Sequence, residues 1–414
     1  MTSLRTLRAL GAGSSLALLL IGCGGGEDAF VCEPVDSSDR AELWANDIDC
    51  VRRALAEEHV DPFTVVSAET FEARLDALLA AVPDLSDDEV RVELARVAAL
   101  LGDAHTLVAF LDAGDFLPIQ VFFFGEDLYV VRAGPGLDDL IATRLVRIGA
   151  RPVAALLPEV RELISHEVEQ RVRHLGPTYL MSTLVLRELG AIDDGDVELG
   201  LETQRGEPLT RVLSPVGPAA WDALPGPAGA LPLYRRMTDL SYWAAVESGD
   251  DLVYVAFNRA RDEEAEPFAA FTERVLAQVG AGDRLVIDLR RNGGGSSLVF
   301  RPMLDAIAED PALDDPDRLF VIVGRATFSA AVLNAHALRA QTSATFVGEP
   351  LGQPVNHFGE VRSFELPFSG GVVSYSTRSF EPADQDLEVD VPAPPAAESF
   401  FTGRDPALDA ILAR

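Results

Sequence analysis

The chain contains no lysine: all 34 of its basic residues are arginine. Chemistry that needs a lysine, as a Schiff base or as a neutral amine base, is thereby excluded. Cysteine is scarce, with three residues, and histidine occurs six times. No cluster of the two stands at metal-ligand spacing, so neither a zinc site nor any cofactor is expected. Positive charge is in deficit, since 66 acidic residues face those 34 arginines for a net charge of −32. Such a surface repels a phosphate backbone, and nucleic acid is not an expected partner. With 414 residues, the chain exceeds what one hydrophobic core organises, and two or three domains are expected.

The first residues carry Arg5 and Arg8, an apolar run from Ala9 to Ile21, then Leu20-Ile-Gly-Cys23. The run is too short to span a bilayer as a mature helix. It resembles a bacterial lipoprotein signal with its lipobox. That resemblance implies removal of residues 1–22, lipid on the Cys23 thiol and a tether over 23–39 that includes Gly24 to Gly26. The protein is then exported and held at a membrane of the cell envelope, on its periplasmic or extracellular face. An ordinary secretory signal with an incidental cysteine is the other reading, and both export the chain. In an oxidising compartment the remaining Cys32 and Cys50 are expected to form a disulfide, against the alternative of two unpaired structural thiols.

Residues 40–112 read as a small helical domain. Trp44, Ile48, Val51 and Leu55 share one helical face, and Phe71, Leu75, Leu78 and Val82 share another. Ser86 and Glu89 form a capping-box pattern ahead of Val90, Leu94, Val97 and Leu101. After Asp112 short β-like runs begin, Ile119 to Phe124, Leu128 to Arg132 and Arg144 to Ile148, before a helical stretch from Val153 to Ile164. Residues 113–215 thus form a small α+β domain. The segment Arg144-Leu-Val-Arg-Ile-Gly-Ala-Arg-Pro-Val153 resembles a PDZ-type module. Residues 216–249 open on a Pro-, Gly- and Ala-rich stretch and read as a linker. From 250 to 414 strands and helices alternate, which predicts a largely parallel sheet with helical crossovers.

In such sheets functional groups gather at the carboxyl edge. Two loops stand there: Arg290-Arg-Asn-Gly-Gly-Gly-Ser296 and Gly324-Arg-Ala-Thr-Phe-Ser-Ala330. The triple glycine lets backbone N–H groups approach a ligand closely, as an oxyanion hole or an anion cradle, or else makes a plain tight turn. Ser329 falls at a strand–turn–helix junction. Its hydroxyl is either an exposed nucleophile with the Ala330 amide beside it, or an N-cap that only satisfies the helix.

Asp288-Leu-Arg-Arg-Asn-Gly-Gly-Gly295, Ala326-Thr-Phe-Ser-Ala-Ala331 and Gly348-Glu-Pro-Leu-Gly352 resemble, in order and spacing, the core motifs of tail-specific (C-terminal processing) serine peptidases. Leu101-Gly-Asp-Ala-His-Thr106 and Gly403-Arg-Asp-Pro-Ala-Leu-Asp409 fit the same family. The resemblance implies a crotonase-like α/β core, Ser329 as nucleophile, and amides near Gly294 and Ala330 as the oxyanion hole. It implies a polypeptide substrate.

The chain departs from the best-known branch of that family. Gln353 stands where the lysine base would be, and Val332 stands where its helix carries a glutamate. The tricorn-type branch uses a histidine from an earlier segment, and His105 matches that element as general base. Glu381, in Ser379-Phe-Glu-Pro382, occupies the region of that branch's orienting glutamate, with Asp103 as local competitor. His336 lies two helical turns from Ser329, roughly 10 Å by rise, too far for direct proton transfer. His357 could line the pocket, and His59, His166 and His174 read as structural or solvent-facing. The expected function is peptide-bond hydrolysis through an acyl-enzyme on Ser329. The alternative is a non-catalytic ligand- or peptide-binding lipoprotein on the same scaffold.

Overall fold

The computed structural model describes residues 30–110, 114–229, 231–247, 249, 251–382 and 386–414. Cys23 and the signal segment lie outside the described residues. No helix among those described is long and apolar enough to cross a membrane. The buried apolar side chains among the described residues form four clusters, two of them on opposite faces of one sheet and taken together as the third core.

The first core is built by helices Arg40–Arg53, Ala68–Ala81 and Asp87–Ala99. Each begins where an oxygen-bearing side chain satisfies an otherwise unpaired amide: Asp39, Ser67 and Ser86 all accept from the first turn. Ser86 and Glu89 complete a reciprocal capping box at 3.1 and 2.6 Å. The expected faces are buried, with Trp44, Ile48, Phe71, Leu75, Val90 and Leu94 inaccessible to solvent. Cys32 and Cys50 are disulfide-bonded, with Cα atoms 5.7 Å apart, which pins the chain entry to the first helix.

This helical core is not closed by its own segment. A hairpin of His357–Glu365 and Val372–Phe380 packs onto it, pairing antiparallel with the strand Leu107–Ala109. Leu366, Val373 and Tyr375 enter the helical core and are fully buried. At about 1.5–3 kcal/mol per buried large apolar side chain, the hairpin is a substantial part of that core. Residues 250–414 therefore do not close on themselves, and one excursion of theirs belongs with the N-terminal helices.

The second core lies under an antiparallel sheet with strand order Ile119–Phe124, Asp127–Ala133, Arg144–Ile148, Val197–Glu202 and Pro208–Leu213. Helices Val153–Arg161, Glu169–Tyr179 and Thr183–Glu188 cover it. The stretch 216–249, expected as a linker, is structured at both ends. Trp221 is buried in the second core and donates Nε1–H to the Ile119 carbonyl at 2.9 Å. Tyr242–Glu247 is an antiparallel edge strand of the third sheet. Its Pro-, Gly- and Ala-rich composition describes only the part between.

The third sheet has the order Val391–Pro392, Thr345–Gly348, Leu319–Val323, Arg284–Asp288, Leu252–Phe257 and Tyr242–Glu247, parallel except for the last pair. Alternate residues of Leu252–Phe257 feed different cores. Val253, Val255 and Phe257 face helices Phe268–Leu276, Arg301–Glu309 and Ala330–Gln341, while Leu252, Tyr254 and Ala256 face the C-terminal helix Pro406–Leu412. Both faces are covered, as a parallel sheet requires. Strands Arg284–Asp288 and Leu319–Val323 are direct neighbours, so the glycine loop and the Ser329 loop emerge side by side.

Candidate active site

Ser329 opens helix Ala330–Gln341 with φ 56° and ψ −127° and makes no side-chain capping bond. A non-glycine residue at positive φ is strained, and a serine held so at a strand–helix junction is turned outward rather than folded back on the helix. The N-cap alternative fails on that point. The strain is held by the surroundings. Ser329 N–H donates to Gln353 Oε1 at 2.9 Å, Phe328 N–H to the Asn292 carbonyl at 3.0 Å, and Thr327 Oγ1 to the Leu289 carbonyl at 3.0 Å.

The glycine loop lies against the serine. Asn292, fully buried, donates Nδ2–H to the Phe257 carbonyl and accepts the Gly294 N–H on Oδ1, both at 2.9 Å. Gly294 has φ +112°, and a Cβ there would stand 2.7 Å from Ser329 Cβ and 3.2 Å from its Oγ. Only glycine admits this approach. The expected oxyanion pair needs one correction: the Gly294 N–H is already committed to Asn292. The amides of Gly295 and Ala330 donate to no protein acceptor among the described residues.

The motifs interlock through arginine. Arg290 forms a bidentate pair with Asp405 at 2.8 and 2.7 Å and a further bond to Asp288 at 2.7 Å, tying the closing motif to the glycine loop. Arg325 grips Glu349 at 2.8 and 2.7 Å, tying the serine loop to the Gly-Glu-Pro segment. Planar guanidinium groups suit such two-point carboxylate contacts.

His105 reaches this edge from the first core. Its ring lies 4.5 Å from that of Phe328, the residue before the serine, and 6.0 Å from that of His357. Asp103 is the buried anchor of its loop. It accepts from His105 N–H at 2.9 Å, His59 Nε2 at 3.0 Å, and Thr106 Oγ1 and Ser376 Oγ at 2.6 Å each. Burial pushes the Asp103 carboxyl up, but the His59 bond, the His105 charge and the two hydroxyls outweigh it and hold the group well below the usual carboxylate range. Burial pushes His105 down to about 4, with Asp103 opposing and His357 and Arg171 adding to the depression. The imidazole is therefore neutral at pH 7, as a general base must be.

Gln353 spans the two halves of the site. Its Oε1 takes the Ser329 amide, so its Nε2 faces outward, 3.2 Å from His105 Nδ1 and 3.1 Å from Glu167 Oε1. His105 thus accepts at Nδ1, and the ring also bonds the Phe358 backbone. Among the described residues no hydrogen bond joins Ser329 Oγ to His105. Burial, then the Asp103 charge, raises Glu167 to about 7. Arg171, also buried, stacks its guanidinium 3.8 Å over the Phe328 ring.

The residues singled out in the sequence divide cleanly. Ser329, Gly294, Ala330, His105 and Asp103 converge on one edge, and His357 stands beside them with Nδ1 on the Val355 carbonyl at 2.9 Å. Glu381 does not join them: it is exposed and accepts from Ser379 Oγ at 3.0 Å. Carboxylates nearer the imidazole are Asp103, whose Oδ1 lies 3.8 Å from Nδ1, and Glu167, one Gln353 amide away. Glu167 and Arg171 carry no sequence signal that marks them as site residues, because their stretch matches no motif; Gln353 is visible only as the residue in place of a lysine, and His59 reads only as structural or solvent-facing.

No family model and no curated protein matches the chain. Solved structures do resemble it. Mature CPAF complexed with lactacystin overlays at a TM-score of 0.64 and 12% identity, over 90% of this chain and 97% of that one. Mature CPAF alone overlays at 0.60, again with 12% identity, over 90% and 96%. A looser overlay, 0.41 with 17% identity over 91% and 97%, is with the photosystem II D1 C-terminal processing protease and does not bear on the fold. At those identities the likeness to CPAF establishes a common fold over nearly the whole of both chains.

Proposed function

We propose that the chain is a serine peptidase of the tail-specific type that hydrolyses polypeptides through an acyl-enzyme on Ser329. The observation that carries this is the backbone of Ser329 itself. A positive φ at the strand–helix junction, with no capping bond and a glycine loop in contact, is a costly conformation that a structural serine has no use for. The shared fold with CPAF is consistent with it, as are the motifs that resemble that family.

In the proposed cycle the Ser329 hydroxyl adds to the scissile carbonyl while His105 takes its proton. Amides of the glycine loop and Ala330 receive the oxyanion, and the same histidine then protonates the leaving amine. Water activated by His105 releases the acyl group. Asp103 is the positioning carboxylate for the histidine loop, in place of Glu381. In the resting arrangement Gln353 occupies His105 Nδ1, so proton transfer requires Gln353 to yield or the ring to turn; such loosened contacts are common before substrate binds. Crotonase-like and PDZ-like descriptions of the third and second cores, and lipid anchoring at Cys23 in the cell envelope, belong to the same proposal.

The test is labelling of the folded protein with a fluorophosphonate, read by intact mass and peptide mapping. One adduct on Ser329, absent from Ser329→Ala, is expected. A well-folded wild type that takes no label would favour the alternative, a ligand- or peptide-binding protein on this scaffold.

A further inference from the structure

A cavity of about 640 Å³ opens between the second core and the carboxyl edge of the parallel sheet. Its wall carries six arginines, Arg132, Arg235, Arg259, Arg290, Arg291 and Arg325, against four carboxylates, Asp222, Asp239, Glu349 and Asp405. In a chain of net charge −32 this is a local inversion of sign. Arg290 and Arg325 are each held by a bidentate carboxylate of the same wall.

The other four have no carboxylate partner among the described residues. Arg132, Arg235 and Arg259 each donate one bond to a backbone carbonyl, of Asp222, Phe400 and Asp239 at 3.5, 3.4 and 2.7 Å. Arg291 donates to none among the described residues. A guanidinium has five N–H donors, so most of those in this cavity are open to a ligand. The cations also act on one another: burial lowers the Arg235 pKa and the like charge of Arg132 adds to that, with Tyr234 opposing. Burial and the charges of Arg171, Arg325 and Arg291 push His174, on the same wall, down to about 3. A ligand that brings negative charge relieves this repulsion.

The cavity lies near the nucleophile, since its wall includes Ala326, three residues before Ser329. His174 stands three residues, about 4.5 Å of helical rise, from Arg171, whose guanidinium covers the neighbour of Ser329. Phe122, Trp221 and Tyr234 supply apolar wall between the charges. A large polyanion is kept off by the acidic exterior, whereas a short extended segment can enter.

We propose that this cavity is a binding site for an acidic stretch of polypeptide, whose Asp and Glu side chains pair with Arg132, Arg235, Arg259 and Arg291. That the ligand is a polypeptide rests on the peptidase reading; that it is anionic does not. Carboxylates are the group the wall already binds, through Arg290 and Arg325, in the two-point geometry that guanidinium favours.

The experiment measures binding to Ser329→Ala protein, so that no turnover intervenes and a failure leaves the labelling result untouched. The probes are a fluorescein-labelled peptide of alternating Glu and Ala and its Gln isostere, followed by anisotropy. The Glu peptide is expected to bind more tightly than the Gln peptide by about tenfold or more and to weaken as salt rises. Arg132→Gln with Arg291→Gln should remove that difference, and the corresponding Lys pair should restore part of it. Should the double variant not fold, Arg132→Gln alone is expected to lower Glu-peptide affinity by about threefold. Equal binding of the two peptides, or a Gln variant that still prefers the Glu peptide as the wild type does, would overturn the proposal. So would displacement of the peptide by millimolar inorganic phosphate, which would give the cavity to a small anion.

Discussion

The two halves of the candidate site are built by different means. The nucleophile half is local: one strand, one turn and one helix set Ser329, and the adjacent strand delivers the glycine loop against it. The base half is assembled from far apart. His105 sits on a loop fixed by Asp103, which binds His59 from 44 residues before it and Ser376 from 273 residues after. Neighbouring loops of one sheet suffice for the first half, with Asn292 and Gln353 holding the two backbones in place. The second exists only when the helices, the hairpin and the parallel sheet have all docked.

That contrast can be broken where the halves are tightest. Gly294→Ala would press a Cβ onto Ser329 at a backbone angle that alanine resists. The loop must retreat, and labelling should slow by about 10²–10³-fold, the scale of losing one oxyanion donor, with the histidine side intact. An unchanged labelling rate would mean that the glycine loop plays no part in the chemistry.

Asp103→Asn attacks the other half. Three donors converge on one oxygen and a fourth on the other, and an amide can offer only one acceptor oxygen. Unfolding should be easier by about 2–4 kcal/mol, since each bond is to a buried charge. Denaturant titration with two probes, one reporting the N-terminal helices and one the parallel sheet, should show both shift. A loss confined to the sheet would contradict the assembly described here.

The smallest effect concerns pH. Glu167 is raised from its ordinary 4.5 to about 7, so the folded state holds a proton that the unfolded state lacks, and its contribution to stability is lost as pH rises through about 7. His105 is lowered from 6.5 to about 4, so its contribution is present above 6.5 and is lost as pH falls through about 4. Between pH 4.5 and 6.5 the two oppose each other. In Glu167→Gln the His105 slope should stand alone, and Tm should climb with pH across that window more steeply than in the wild type. Identical Tm profiles would mean that Glu167 is not enclosed as described.

What could be read in the sequence follows the same division. Apolar strands at Leu285 to Leu289 and Leu319 to Val323, the triple glycine and Ser329 are contiguous signals, and the largely parallel sheet they predict is found, with those two strands as neighbours. The Ser86 capping box and the faces of Trp44 and Phe71 are equally local. Glu381 was separable from the other acidic residues only by analogy, because 66 Asp and Glu side chains offer no contrast. The return of residues 357–380 to the N-terminal helices is a long-range pairing that neither period nor composition records. The linker reading of 216–249 failed at Trp221 and at Tyr242–Glu247, where single aromatic anchors and a strand lie beside a Pro- and Gly-rich stretch.

The central claim is that these two halves work as one site, and the pH dependence of acylation tests it most directly. Fluorophosphonate labelling rates of wild type and His105→Ala, measured from pH 4 to 8, are expected to differ by about 10²–10⁴-fold at neutral pH. The wild-type rate should fall only as pH drops towards about 4, where the buried His105 gains its proton, and the variant should lack that limb. Equal rates with the same pH dependence would show that Ser329 reacts without His105, and the account of the base half would be wrong.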